Sequence, residues 1–458
     1  MRQSQLAVQS NAAFSHTPRT EVIVLPTLPA GAATGESPRT ALRPLVAGTT
    51  IGQIVEWFDW SVYAIFAPYF AEKFFPASSP LASLLATYLV FAVSFVVRPL
   101  GGVLFGYAAD RFGRRPAFAA SILLMSASMA VIAITPSYAT IGWVAPTLLT
   151  TARLLQGLSA GGEMPSSSAF LTEAVPAARR GFYSSFIFLG VGAGTLLATL
   201  FGTALSVLLS PAQLTDWGWR LAFVLGAVLC LYGLRLRKQL PETEAFREVA
   251  KRADGPKQGL RALLRRHPGA VVRVVCFNVG GTIAYYTFAV HMPTYLKTAV
   301  GMSATAAFVV TSITLIVYSA QMPLWGHLTD RFGRRPIMAA GAFGMAVAVV
   351  PVSLALDGGP VLAVLLLCVA ITFLAMTSAT VSAVMAEQFP TSVRALGIGL
   401  PYALATAAFG GTAPYLATWL EGQGLRAAYF GWVALLCAIT GVAFLTMREM
   451  AGRELSRD

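Results

Sequence analysis

Four ionisable residues stand inside long apolar stretches of the sequence. Glu56 and Asp59 are three residues apart, so a helix would place both carboxyl groups on one face. Two neighbouring carboxylates in a medium of low dielectric constant cannot both be ionised cheaply, and one of them is therefore suited to carrying a proton. Arg98 and Arg153 offer planar guanidinium groups that match a carboxylate. Charges in such surroundings usually face a cavity or a partner, so they indicate proton transfer and anion binding.

The same four residues also allow a purely structural interpretation. Glu56 or Asp59 could form a buried ion pair with Arg98 or Arg153 and only hold helices together. The two roles are compatible, because a carboxyl group can exchange its Arg partner for a proton. We predict that Glu56 and Asp59 couple a proton, and that Arg98 and Arg153 bind an anionic substrate.

The stretches that carry these residues are long enough to cross a membrane. The chain has 458 residues, of which 56% are hydrophobic and 12% charged, whereas soluble domains carry about 25% charged residues. An apolar helix of about 18 or more residues crosses the hydrocarbon core of a bilayer. The sequence therefore predicts an all-α polytopic membrane protein with twelve spans, at residues 47–70, 81–107, 117–135, 142–170, 182–209, 219–237, 270–296, 304–326, 337–355, 360–386, 395–419 and 426–447.

Basic residues alternate between the gaps that separate these spans. The odd-numbered gaps hold little beyond Lys73 and Lys297. The even-numbered gaps hold Arg111, Arg114, Arg115, Arg179, Arg180, the basic run 235–266, Arg331, Arg334, Arg335 and Arg394. This positive-inside pattern predicts a bacterial-type cytoplasmic (inner) membrane protein whose termini both face the cytoplasm. It also explains the net charge of +13 without any nucleic-acid partner.

The rest of the composition indicates short tails and no cofactor. Residues 1–44 are rich in Ser, Thr, Pro and Gly and predict a disordered cytosolic tail without a secretory signal. Residues 448–458 form a second cytosolic tail. The cysteines stand singly, so neither a disulfide nor a metal site is expected; they are Cys230, Cys276, Cys368 and Cys437.

The same seven-residue segment, Asp-Arg-Phe-Gly-Arg-Arg-Pro, occurs at Asp110–Pro116 and at Asp330–Pro336. Each copy lies between the second and third spans of its half, and a chance match at equivalent positions is very improbable. The chain is therefore predicted to contain two six-helix repeats, residues 45–237 and 270–447, joined by a cytosolic basic linker at 238–269. One chain then holds both halves of a pathway, and a monomer in contact with membrane lipid is expected to function.

The repeated segment could simply anchor its loops on the cytoplasmic side. Its Asp and Gly favour a further role, because Asp110 can accept hydrogen bonds from an Arg and Gly113 permits the tight turn that returns Arg114 to the helix ends. Glu173 and Glu387 lie at the next cytoplasmic helix ends and could join an ionic latch that holds one access state. The predicted gate residues are Asp110, Arg111, Gly113, Arg114, Glu173, Arg180, Asp330, Arg331, Gly333, Arg334, Glu387 and Arg394.

The seventh span could shape a substrate pocket, because its polar residues stand in an apolar helix that glycine and proline interrupt. Asn278, Tyr285 and Tyr286 are candidates for substrate contact, although the tyrosines could equally pack against neighbours. His291 lies near the outer end and fits a gate better than a metal site. Trp57, beside the carboxyl groups of the first span, is a further candidate for substrate contact.

Motifs for other functions are weak in this sequence. Residues 190–194 alternate glycine with apolar residues like part of a dinucleotide loop, but they lie within an apolar span with no preceding strand, so close helix packing explains them better. The sequence has no Walker loop and no nucleophile elbow with a matching His and acid. We therefore expect that the protein is not an enzyme.

The pattern G-x-x-x-D-R-x-G-R-R between the second and third spans resembles the signature of the major facilitator superfamily, and the resemblance covers residues 45–450. It implies the major facilitator fold and places Arg153 in a fourth-helix motif linked to proton transfer. Gln156 completes that motif, and we count it among the substrate-binding candidates. Further motifs resemble the metabolite:proton symporter family, namely Glu56-Trp57-Phe58-Asp59-Trp60, Arg98-Pro99-Leu100-Gly101-Gly102, Arg153-Leu-Leu-Gln156-Gly157 and Phe389-Pro390-Thr391.

One departure from that family is the pair Phe58 and Trp60, where Tyr and Phe are more usual, so a hydroxyl group is absent. The resemblance implies symport of a small organic acid with a proton by alternating access, and no other cofactor. Two buried Arg residues favour a dicarboxylate such as 2-oxoglutarate. The alternatives are betaine, proline or a shikimate-like compound as substrate, a proton-driven exporter, or a receptor on the same scaffold.

Overall fold

The computed structural model describes residues 38–112, 114–161, 163–239 and 260–455, and these ranges contain helices and no strand. The helices up to residue 239 are α1 (Pro38–Phe74), α2 (Pro80–Val96), α3 (Arg98–Phe112), α4 (Arg114–Ile134), α5 (Tyr138–Ile141), α6 (Val144–Ser159), α7 (Glu163–Ala174), α8 (Arg180–Leu208), α9 (Pro211–Gln213) and α10 (Trp219–Gln239). The helices from residue 260 onward are α11 (Leu260–Arg266), α12 (Pro268–Tyr285), α13 (Met292–Thr298), α14 (Ala304–Phe332), α15 (Arg334–Leu354), α16 (Pro360–Ser378), α17 (Val381–Glu387), α18 (Arg394–Ala405), α19 (Ala413–Gly422) and α20 (Arg426–Thr446).

Every predicted span coincides with one helix or with a run of consecutive helices. Within the described ranges, nine helical segments of 21–32 residues are long and apolar enough to cross a membrane. The other three predicted spans lie in α1, in α4 and in the run of α6 and α7, which are helical as well. The prediction of an all-α polytopic membrane protein is confirmed. We call residues 45–237 the N-terminal half and residues 270–447 the C-terminal half.

Parts of the predicted tails and linker lie outside the described residues, namely residues 1–37, 240–259 and 456–458. Helix α1 begins at Pro38, ahead of the predicted boundary at residue 45, and the end of the predicted linker contains α11. The two repeated segments lie at one end of the helical bundle, which we call the loop end. The opposite end is called the far end.

Glycines allow the second and fourth spans to touch through their backbones. A Cβ atom at Gly157 would lie 2.1 Å from the Ser94 carbonyl oxygen, and one at Gly101 would lie 1.8 Å from the Leu158 carbonyl oxygen. No side chain fits such a space without a backbone shift. This contact fixes the separation of Arg98 and Arg153, which stand on the two helices concerned.

The glycine-rich segment 190–194 packs α8 against two other helices. A Cβ atom at Gly190 would lie 2.6 Å from the Thr50 carbonyl oxygen of α1, and one at Gly192 would lie 2.7 Å from Ser319 Oγ of α14. Helix α8 is thus wedged between the first and eighth spans, as close helix packing requires. The segment serves helix contact, and it brings the two halves together beside Trp57.

We expect Gly157→Ala to destabilise the protein by about 1–3 kcal/mol, because the added methyl group must push α2 and α6 apart. The measurement is thermal unfolding of the purified protein in detergent. Gly431→Ala is the matched control, since nothing lies within 4 Å of its Cβ position in helix α20. Alanine there should stabilise by about 0.5–1 kcal/mol through helix propensity. Equal stability of the two variants would contradict the packing account.

Candidate transport site

The four buried charges of the N-terminal half form a cluster of two neighbouring hydrogen-bonded groups. Arg98 Nη2 donates to Glu56 Oε1 at 2.5 Å. Gln156 Nε2 donates to Asp59 Oδ1 at 2.6 Å, and Arg153 Nη1 donates to Gln156 Oε1 at 2.8 Å. Glu56 therefore has a direct Arg partner, whereas Asp59 is connected to its Arg through an amide. All five side chains are buried.

Asp59 and Arg153 keep hydrogen-bonding capacity that the protein does not use. Among the described residues, neither Asp59 Oδ2 nor Arg153 Nε has a hydrogen-bond partner. The Arg153 guanidinium lies 4.9 Å from the Trp60 ring centre and 4.3 Å from that of Tyr63, so aromatic faces take the place of a counter-ion. An oxygen of Asp59 is thus free for a proton at the centre of the bundle.

A cavity lies between the two halves beside this cluster, with an empty volume of about 450 Å³, part of which is open solvent. Four residues predicted to contact substrate line it, namely Trp57, Asn278, Tyr285 and Tyr286. The other predicted contacts, Arg98, Arg153 and Gln156, are not in its wall. The remaining lining residues are Phe188, Val191, Phe277, Gly281, Thr282, Thr377, Ser378, Val381 and Tyr402.

Sequence reasoning missed Thr377, Ser378 and Tyr402, which come from the tenth and eleventh spans. Ser and Thr are common in apolar helices, where their hydroxyl groups bond to the backbone, and Tyr is an ordinary packing residue there, so the sequence carries no signal that marks these three. Charged and neutral polar groups are segregated between the two halves. In the described ranges, the charged cluster belongs to the N-terminal half, whereas the neutral polar groups of the cavity wall belong to the C-terminal half.

Tyr285 joins the two halves at the cavity. Its hydroxyl group is 2.8 Å from Thr195 Oγ1, which is 2.8 Å from Ser61 Oγ. The Trp57 ring packs edge-on against the Tyr285 ring at 5.1 Å and also contacts Tyr286. The Tyr286 hydroxyl group has no hydrogen-bond partner within the described ranges, although it is buried. It is therefore available to a ligand in the cavity.

At the loop end, ion pairs cross from one half to the other. Arg180 Nη1 lies 3.3 Å from Glu387 Oε1, and Arg334 Nη2 lies 3.1 Å from the same oxygen. Arg394 pairs with Glu173 in the mirrored arrangement. Each glutamate thus binds an arginine of the opposite half rather than the one that follows it in the sequence, and Glu387 also pairs with Arg334 of its own half. We call these five residues, together with Asp330, the loop-end latch.

The side-chain carboxylate of Asp330 binds backbone amides at the start of α8. Its two carboxylate oxygens accept hydrogen bonds from the Gly181 and Phe182 amides, each at 2.8 Å. A carboxylate at a helix N-terminus is favourable because it meets unpaired N–H groups and the positive end of the helix dipole. The equivalent N-terminal residues Asp110, Gly113 and Arg114 were predicted for the same gate, but their side chains lie outside the described residues.

Other members of the repeated segment have local roles. Arg111 is exposed and donates to the Tyr107 hydroxyl group at 3.0 Å. Arg331 is exposed over the Phe332 ring at 5.3 Å. The structure therefore does not bring these two predicted gate residues into the latch. Gly333 has a φ of +95°, a conformation that favours glycine, and it makes the turn between α14 and α15.

The segment after α20 also reaches the latch, which the sequence did not predict. Glu449 accepts hydrogen bonds from the Arg335 amide at 2.9 Å and from the Ala451 amide at 3.0 Å. Partial burial opposes ionisation, but these backbone donors and that of Arg334 outweigh it and hold the pKa of Glu449 below its usual range. The carbonyl oxygen of Arg453 accepts from Arg180 Nη1 at 3.0 Å.

Two related helical halves, a buried charge cluster, a cavity between the halves and a latch at one end together define a membrane transporter. The chain belongs to the Major Facilitator Superfamily, which matches residues 49–400 and 280–457. The predictions of this superfamily and of a protein that is not an enzyme are confirmed.

Several characterised proteins are similar over most of their length. The chain is 40% identical to the alpha-ketoglutarate permease of Escherichia coli (strain K12), over 88% of this chain and 93% of the permease. It is 33% identical to the citrate-proton symporter of Klebsiella pneumoniae, over 89% of this chain and 93% of that protein. It is also 33% identical to the proline/betaine transporter of Escherichia coli (strain K12), over 90% of this chain and 85% of that one. The predicted resemblance to metabolite:proton symporters is confirmed.

Among solved structures, the proton:xylose symporter XylE bound to 6-bromo-6-deoxy-D-glucose matches with a TM-score of 0.74 at 20% sequence identity. The match covers 92% of this chain and 98% of that one. The partially occluded, inward open form of the xylose transporter from E. coli matches with a TM-score of 0.69. At this level of identity the likeness concerns the fold, and it confirms the major facilitator architecture.

We expect Glu387→Gln to weaken closure at the loop end, because Arg180 and Arg334 would remain buried without their shared carboxylate. Removal of one partner from a buried ion pair costs about 3–5 kcal/mol. The measurement is maleimide labelling of Ser382→Cys, a buried position whose hydroxyl group contacts the Ser184 carbonyl of the other half. The four native cysteines are replaced first, and labelling should become faster in the Glu387→Gln variant.

Arg331→Gln is the control for this experiment, since it removes an exposed charge from the same repeated segment. It should leave the labelling rate at the parent value. If Glu387→Gln also leaves the rate unchanged, the ion pairs do not hold the loop end closed.

Proposed function

We propose that the protein is a proton-coupled symporter that carries a small organic acid, namely a dicarboxylate such as 2-oxoglutarate, by alternating access. The observation that carries the proposal is the buried Glu56–Arg98 ion pair beside the Asp59–Gln156–Arg153 chain. The names of the similar alpha-ketoglutarate permease and citrate-proton symporter support the same substrate class. The loop end and both termini face the cytoplasm in this proposal, as the basic loops favour.

Coupling follows from charge balance in the cluster. Two carboxylates and two guanidinium groups are neutral together, and the same groups would carry a net charge if an anionic substrate bound alone. A substrate carboxylate competes with Glu56 for Arg98, and a substrate with two carboxylates is balanced when the displaced Glu56 and the neighbouring Asp59 each take a proton. The loaded cluster is then neutral again, which lowers the cost of moving it through a low-dielectric surrounding. A half-loaded carrier reorients less readily.

Arg98 is the guanidinium group that we assign to the substrate. It lies 4.7 Å from the Trp60 ring centre and 5.5 Å from that of Phe95, and the Phe95 ring packs edge-on at 5.6 Å against Tyr286, which lines the cavity. Arg153 is fully buried behind Tyr63 and acts on Asp59 through Gln156. In this proposal Arg98 binds substrate, and Arg153 controls the proton on Asp59.

Alternating access requires that the halves separate at one end at a time. Contacts between the halves occur at both ends in the present conformation, with the latch at the loop end and a 3.2 Å hydrogen bond from Tyr88 to Thr294 Oγ1 at the far end. The halves therefore touch at both ends of the pathway. Neutralisation of the cluster permits this form, from which either end can open.

A second candidate substrate is a betaine or proline. The cavity wall contains Trp57, Tyr285, Tyr286 and Tyr402, and aromatic faces bind quaternary ammonium groups. The similar proline/betaine transporter is consistent with this alternative. Inhibition of 2-oxoglutarate uptake by a panel of mono-, di- and tricarboxylates and betaines separates the two, because a dicarboxylate carrier should be inhibited most by compounds with two carboxylates.

We expect Asp59→Asn to abolish accumulation driven by a proton gradient while exchange of internal for external substrate continues. The amide imitates a protonated carboxyl group that cannot release its proton. Uptake of labelled 2-oxoglutarate into proteoliposomes, with a pH gradient or with equal internal and external pH, measures both activities. Arg98→Gln should weaken both, with KM raised about tenfold or more for the loss of a charged hydrogen bond.

Arg220→Gln is the control for the loss of a partly buried arginine, because Arg220 donates to the carbonyl groups of Ala133 and Thr135 away from the cavity. It should lower stability and leave the ratio of accumulation to exchange unchanged. Accumulation that persists in Asp59→Asn would exclude this residue as the coupling site.

A further inference from the structure

A second cavity lies at the far end, between the first span and the seventh and eighth spans. Its empty volume is about 180 Å³, part of which is open solvent. Tyr69 and Pro68 belong to the N-terminal half, and Thr294, Lys297 and Phe308 to the C-terminal half. Opening of the far end must therefore widen this cavity, because its walls belong to the two halves that separate.

Lys297 is the cation of this cavity, and it has an aromatic partner in place of an acidic one. Its ammonium group lies 4.0 Å from the centre of the Tyr69 ring in the other half. No carboxylate oxygen lies within 4.0 Å of that group in the described ranges. Lys73, the other lysine near this end, pairs with Asp216 at 2.8 Å. Of these two lysines, only Lys73 has an acidic partner, so the ammonium group of Lys297 can bind an anionic ligand.

Lys297 also stands on the way to the central cavity. Thr294, one helical turn before it, accepts the hydrogen bond of Tyr88 that closes the far end. The ring of Tyr88 also packs edge-on against His291 at 5.4 Å. Tyr286, which lines the central cavity, lies further along the same span. A ligand that enters at the far end and moves along the seventh span towards Tyr286 therefore meets Lys297 before it meets the Tyr88–Thr294 contact.

We propose that Lys297 forms an entry site for carboxylate anions at the far end. In the closed form the ammonium group of Lys297 contacts the Tyr69 ring. Separation of the halves moves that ring away, and the ammonium group can then bind a substrate carboxylate. The anion is concentrated at the mouth of the pathway before it exchanges onto Arg98. This inference rests on the proposed function, because it assumes an anionic substrate that enters from the far end.

The test compares Lys297→Gln with Lys73→Gln in cells that take up labelled 2-oxoglutarate. Lys297→Gln should raise the KM for uptake about tenfold at low ionic strength, a typical effect of electrostatic attraction on ligand capture. It should leave kcat near the parent value and make KM nearly independent of salt. Lys297→Arg should restore both the KM and its salt dependence. Lys73→Gln should leave the KM unchanged, because the charge it removes is already neutralised by Asp216.

Transport in the opposite direction separates capture from a general defect. In inside-out vesicles the substrate meets the loop end first, so Lys297→Gln should leave that KM at the parent value. The reverse kcat should fall about tenfold instead through slower release at the far end, because the transport equilibrium fixes the ratio of the two kcat/KM values. An equal rise of KM in both directions, or the same change in Lys73→Gln, overturns the entry site. If the parent protein takes up no carboxylate at all, the proposed function fails instead, and that result is recognised before any variant is compared.

Discussion

A charge in hydrocarbon costs several kcal/mol unless a partner neutralises it, and that constraint governs the arrangement of this transporter. The second and fourth spans pack through glycines, which brings their charged side chains close together. Gly157 and Gly101 remove the side chains that would keep the helices apart. Glu56 then reaches Arg98, and Asp59 reaches Arg153 through Gln156. The balance is local and complete, so a new charge must be accompanied by another of opposite sign.

The same constraint acts at the loop end with a different result. There, each half supplies a glutamate with an arginine partner on the opposite half, and Glu387 has a second partner, Arg334, on its own half, so part of the charge balance depends on contact between the halves. Separation at this end exposes the charges to water, which solvates them. The central cluster lies within one half and is balanced by its own arginines, whereas the latch spans both halves and is balanced in part by closure. Proton binding and closure can therefore be linked through electrostatics without a continuous chain of contacts between them.

Much of the fold was predictable from the sequence, because the length of an apolar stretch and the charge of the residues that flank it are local properties. Glu56, Asp59, Arg98 and Arg153 were recognisable as candidates because ionised side chains are rare in such stretches. The partners of the charged residues could not be predicted in the same way. Sequence spacing suggested no reason for Glu173 to prefer Arg394, since that pairing depends on how the halves meet.

The hydroxyl groups of the cavity wall and the contacts of Glu449 could not be predicted from the sequence, and each has a physical reason. The hydroxyl groups of Ser378 and Tyr402 belong to residue types that are ordinary in helices, and only the shape of the cavity distinguishes them. Glu449 lies in a short polar segment whose backbone contacts at the start of α15 have no sequence pattern. The burial of Arg153 behind Tyr63 likewise favours control of Asp59 over the substrate contact that the sequence predicted.

The most direct test of the central claim is the pH of the medium around energy-depleted cells that express the protein, recorded when 2-oxoglutarate is added. A symporter removes protons from the medium together with the substrate, so we expect alkalinisation that requires substrate and disappears with a protonophore. Uptake of 2-oxoglutarate with no change in external pH would contradict proton coupling through Glu56 and Asp59.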